Sequence, residues 1–151
     1  MKITHFLLVA AALLLAITGM AQEYKVITSV ESIIPMGVGR SRIIEHQEKI
    51  DPGMFTTMRV QGNDSKQGDI SRDEIKIDKF EETKLLNFFS AVGINFRNIA
   101  SNDAMISAKI NQMVADGWEL AFVVTGVESY GGKDDDSGIF ITRYIFKRAI
   151  K

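Results

Sequence analysis

The chain has 151 residues, of which 46% are hydrophobic and 25% charged, with a formal net charge of −1 at pH 7 and no cysteine. A balance so close to neutral argues against a nucleic-acid partner and against an electrostatic membrane anchor. Without cysteine there is neither a disulfide framework nor thiol chemistry, so the fold rests on its core, a condition that suits a bacterial envelope better than a disulfide-rich extracellular module.

Residues 1–21 read as a cleaved signal peptide. Lys2 supplies the positive start, Phe6 to Ile17 form an unbroken apolar run of twelve, and Gly19-Met20-Ala21 places small residues where a signal peptidase reads them. The run is too short for a membrane span, which needs about 20 apolar residues. A retained N-terminal anchor is the weaker alternative. No cysteine follows the run, which rules out a lipid-anchored lipoprotein. Cleavage before Gln22 leaves 130 residues carrying 17 basic and 19 acidic side chains, a balance of −2. That length suits one domain, 22–151, with no transmembrane segment, exported to the periplasm or secreted.

Tyr24 to Ile34 alternate as a strand, with Tyr24, Val26, Val30 and Ile34 on one face and Ile27 and Ile33 beside Lys25 and Glu31 on the other. Pro35 ends it, since a proline cannot donate to a ladder. Gly37-Val38-Gly39-Arg40-Ser41-Arg42 meets neither nucleotide fingerprint, because it lacks a third glycine and a Gly-Lys-Ser/Thr ending. It reads as a glycine turn into a short basic edge strand. Ser41–His46 and Met54–Val60 suggest two further strands around an Asp51-Pro52-Gly53 turn. Residues 61–74 form a polar loop, after which Ile75 and Ile77 return the chain to the sheet.

A helix is expected from Asp78, with Glu81 three residues on in a capping-box-like start, and Leu85, Phe88, Phe89 and Val92 at helical spacing before Gly93. Residues 94–101 connect it to a second helix, capped by Ser101, Asn102 and Asp103. Ile106, Ile110, Met113 and Val114 line one side of that helix, and Gly117 stops it. Trp118 opens a strand apolar on both faces, expected to be central in the sheet. After a Gly- and Asp-rich loop over 128–137, residues 138–148 close the chain as a strand with Phe140, Thr142, Tyr144 and Phe146 on one face. The expected class is therefore α+β: a small antiparallel sheet with about two helices packed on it, in a single domain.

The opening Glu23-Tyr24-Lys25-Val26, the helix running into Gly117-Trp118-Glu119-Leu120 and the closing Phe146-Lys147-Arg148 together resemble a small bacterial family, domain of unknown function 4177. The resemblance covers residues 23–30 and about 102–148, and it makes 35–100 an insertion relative to the short family unit. It implies an α+β fold and brings no activity and no catalytic residue.

The chemistry census is short. After cleavage His46 is the single histidine, so a His/Cys zinc site cannot be assembled within one chain, and no G-x-S-x-G elbow accompanies it. Asp134, Asp135 and Asp136 do not match a calcium loop, because the fifth position from Asp134 is Gly138 and the twelfth is Ile145. They read as a solvated hairpin tip. No catalytic residue, metal or cofactor is assigned. The first expectation is a non-enzymatic binding or interaction domain that engages a protein or small ligand, with Arg40, Arg42 and His46 as its surface. The alternatives are a hydrolase with a carboxylate-based site and a structural domain that acts by self-association, so a homo-oligomer is left open. An edge that merely carries charges to discourage strand pairing would explain the same three residues.

Overall fold

The computed structural model describes residues 21–32, 40–64, 71, 73–90, 92–128 and 138–150. Its centre is a five-stranded antiparallel sheet of β1 (Gln22–Ser32), β2 (Arg42–His46), β5 (Phe80–Lys84), β8 (Glu119–Glu128) and β9 (Ile139–Ala149), in the order β5-β2-β1-β9-β8. β1 and β9 pair along their whole length, from Gln22 against Ala149 to Ser32 against Ile139. Two small ribbons complete the strands: β3 (Arg59–Val60) with β4 (Asn63–Asp64), and β6 (Phe89–Ser90) with β7 (Gly93–Ile94). The first turns on Gln61 and Gly62, both at positive φ, as two-residue hairpins require.

One α-helix, α1 (Phe96–Ala115), packs on one face of the sheet. Ile27, Ile43, Leu85, Met113, Trp118 and Phe146 form the buried cluster, with Ile106, Ile110, Leu120 and Tyr144 packed against it. Phe146 is 0% exposed at its centre. The helix begins five residues before its expected caps, because the Asn95 side chain accepts from the backbone N–H groups of Arg97 and Asn98 at 3.1 and 3.3 Å.

The expected α+β class with about two helices is overturned: the described residues form a small, sheet-rich fold with one α-helix. The stretch expected to be helical from Asp78 instead runs as β5 along β2 and then as the β6–β7 ribbon. Tertiary hydrogen bonds outcompete its local helical spacing. Asn102 from α1 grips Leu86, with Oδ1 accepting from Leu86 N at 2.8 Å and Nδ2 donating to Leu86 O at 2.7 Å. Asn98 Nδ2 donates to Asn87 O at 2.8 Å, and Leu85 N donates to Ser41 O at 2.9 Å. The apolar residues meant for one helical face are thereby dispersed. Leu85 is buried, Phe88 meets Phe140 edge-on at 5.5 Å, and Val92 is 97% exposed.

Two strand expectations are also corrected. Met54–Val60 is not one strand: Asp51 caps a 3₁₀ turn over Pro52–Phe55, and only Arg59–Val60 pair. β8 is not central but an edge, with β9 on one side and, among the described residues, no strand on the other. A bulge between Leu120 and Phe122 turns its alternation over. Leu120 lies opposite Phe146 on the helix face, whereas Phe122 lies opposite Ile145 on the far face. The expected signal segment through Met20, the 33–39 stretch and the expected hairpin tip at Asp134–Asp136 lie outside the described residues.

Candidate functional site

A cleft of about 800 Å³ opens on the helix face where α1 ends. Gly117 adopts φ +84°, and the two bonds of a Schellman stop follow, Gly117 N to Val114 O and Trp118 N to Met113 O, both at 3.0 Å. This stop delivers Trp118 into the core, 7% exposed. The Arg148 guanidinium lies 4.1 Å from the centre of its ring, a cation–π contact. Glu23 holds that guanidinium from β1, with Oε2 accepting from Nε at 3.1 Å and lying 3.0 Å from Nη2. Lys49 adds a looser contact to the same carboxylate at 3.8 Å.

The cleft's polar groups are largely engaged with one another. Lys25, another lining residue, is paired with buried Glu45, whose second oxygen meets Lys109 of α1 at 2.5 Å. Burial alone would push the Glu45 carboxyl up, but hydrogen bonds and charge from Lys109 and Lys25 outweigh it and hold the group below the usual carboxylate range. Lys109 also lies 3.9 Å from Glu81, which sits directly across the ladder from Glu45, so one cation offsets two facing acids. His46 lines the cleft with Nδ1 3.0 Å from the Glu48 carbonyl oxygen, a bond it donates when that nitrogen carries the proton.

Elsewhere under the helix, Asn102 donates to Glu31 at 2.9 Å. Burial pushes the Glu31 carboxyl up; that hydrogen bond partly offsets the rise, and the nearby charge of Asp103 adds to it. Among the described residues no three His, Asp or Glu side chains converge as a cation site, and no helix is long and apolar enough to cross a membrane.

The surface expected from Arg40, Arg42 and His46 is not brought together. Arg42 and His46 occupy the two ends of β2, about 13 Å apart at about 3.3 Å per residue. Arg40 is exposed just before the strand, and Arg42 is paired with Glu82 at 2.6 Å. Nor is β2 an edge, because β5 covers it. Sequence reasoning missed Glu23, Glu45, Lys109 and Asn102. Glu45 carried one signal, its place two residues from Ile43 on the inward face of β2; Asn102 carried none, since it reads as a helix cap.

The sheet face away from α1 is a different kind of surface. Rows run across three strands, with Val26, Ile145 and Phe122 in one and Val30, Ile141 and Gly126 in another. Phe122 is 62% exposed and Val124 54%. Both lie on β8, whose stretch Phe122–Val127 contains no charge and no proline. The opposite edge, β5, is five residues long and carries Glu81, Glu82 and Lys84. Charges and brevity are the usual guards of a free edge, whereas β8 has ten residues and carries its two acids, Glu119 and Glu128, only at its ends. A family model, a curated protein or a solved structure that matches this chain was not found.

Proposed function

We propose that the chain is an exported, non-enzymatic interaction domain that takes up an extended polypeptide strand along the free edge of β8. The observation that carries this reading is the contrast just described, a long edge with an uncharged, exposed centre at 122–127 on a sheet whose other edge is short and charged. Strand addition to such an edge draws affinity from main-chain hydrogen bonds and selectivity from alternate side chains. The pairing of the cleft's cations with neighbouring acids favours a structural role for that cleft over catalysis. Export is supported by the leader pattern and by the start of β1 at Gln22, so that cleavage there spares the whole strand. On this reading β1, α1, β8 and β9 are the unit resembling domain of unknown function 4177, and 35–100 is its insertion.

A synthetic peptide with the sequence of residues 120–128 tests the edge. It should slow amide hydrogen exchange in β8 while leaving β5 unchanged. Exchange that slows nowhere, at peptide concentrations up to millimolar, would sink the reading. N-terminal sequencing of exported protein should begin at Gln22, and an intact Met1 would overturn the processing.

A further inference from the structure

Along the exposed edge of β8 a knob and a hollow lie a few residues apart. The knob is Phe122, and the hollow, about 460 Å³, is lined by Val124, Thr125, Gly126, Val127, Ile141 and Arg143. A Cβ built on Gly126 would meet no atom within 4 Å, so the space above that backbone is open.

We infer that a second copy of this chain fills the hollow: two β8 strands pair antiparallel about a two-fold axis perpendicular to the sheet and passing through Val124. The inference rests on the strand-acceptor reading above and names its partner. Opposed residues in an antiparallel pair share one face of the sheet. A perpendicular axis therefore keeps both helices on the same side and must pass through a residue rather than between two. Centred on Val124, it sets Val124 against its own copy, Val123 against Thr125 and Phe122 against Gly126, the last two pairs occurring twice. Each Phe122 ring then covers the partner's Gly126, beside Val124 and Ile141, as an aromatic side chain can fill the space a cross-strand glycine leaves.

Side-chain matching selects the same register. The acids of β8 are Glu119 and Glu128 at its ends, and centring on Val124 sets Glu128 against Leu120, so neither acid opposes a like charge. Centring on Thr125 would set Phe122 against the charged Glu128, and centring on Val123 would set Phe122 against Val124 and leave Gly126 opposite Leu120. The interface is isologous: each copy supplies both knob and hollow, and the two free edges disappear together.

The chain has no cysteine, so Val124→Cys introduces a single thiol. Directly opposed residues bring their Cβ atoms to about 4.5–5.5 Å, close to the reach of a disulfide. Mild oxidation should link V124C into covalent dimers at least tenfold faster than Ser107→Cys, an exposed helix position. Wild-type protein should sediment as a dimer that dissociates on dilution, and Val124→Lys should sediment as a folded monomer. A dimer that cross-links through Thr125→Cys in preference to V124C overturns the axis. Wild type that stays monomeric at every concentration, with V124C no faster than S107C, overturns the second-copy inference. In that event the peptide of residues 120–128 separates the two readings. If it still protects β8 from exchange, strand acceptance stands with another partner; if it does not, both fall.

Discussion

The two faces of the sheet are made by the same strands, residue against alternate residue, yet they differ in what closes them. On the helix face the central rows meet α1 or the segment 85–88, and two of the polar groups there are tied, Glu45 to two lysines and Asn102 to both backbone groups of Leu86. On the far face equally apolar rows, such as Val26–Ile145–Phe122, end at an exposed edge. Hydrophobic alternation therefore produces a core only where a second layer arrives, and on the far face it leaves apolar side chains exposed.

The sharpest test uses one substitution on both faces. Phe146→Ala should cost about 3–5 kcal/mol, as for other large aromatics removed from cores. Phe122→Ala, measured in dilute monomer, should cost less than about 1 kcal/mol, the scale of a cross-strand pair. Denaturant midpoints with equal slopes decide between them, and equal losses would erase the distinction. Trp118→Ala should behave like Phe146→Ala and leave strand uptake at β8 intact. A loss of binding at unchanged stability would instead make Trp118 a ligand contact.

Asn102→Ala should come next, costing about 1–3 kcal/mol because it strands buried groups that now satisfy each other. The 85–88 segment should gain hydrogen exchange first. If the loss is negligible, that segment is held by packing alone.

The smallest effects lie in pH. Because the folded-state pKa of Glu45 is depressed, the stability it contributes is full above its unfolded value and is lost as pH falls through the folded one. Glu45→Gln should lower the thermal midpoint at neutral pH, and the deficit should shrink in acid. Glu31 is shifted the other way, so its ionised form opposes folding at neutral pH. Glu31→Gln should raise the midpoint there, and that advantage should fade as the wild-type carboxyl takes up its proton. Parallel pH profiles for the two variants would contradict the opposite environments assigned to them.

Short-range physics made several elements legible in the residues themselves. The alternation over 24–32 and 138–148 marked β1 and β9 with the correct faces, and Gly117 marked the end of α1, because each depends only on side-chain period or on a left-handed backbone position. The same reasoning mistook 78–92 for a helix and Asn102 for a cap. The Glu- and Lys-rich start of β5 prefers a helix locally, and only a ladder with β2, distant in sequence, reverses that. It also took β8 for a central strand, since an apolar run reads alike whether its neighbour is another strand of the same chain or a surface still to be covered. Long-range pairing alone decided which strands became edges, how the bulge after Leu120 turned Phe122 outward, and which charges met beneath the helix. No local pattern encodes these, because each is set by residues brought together only when the sheet closes.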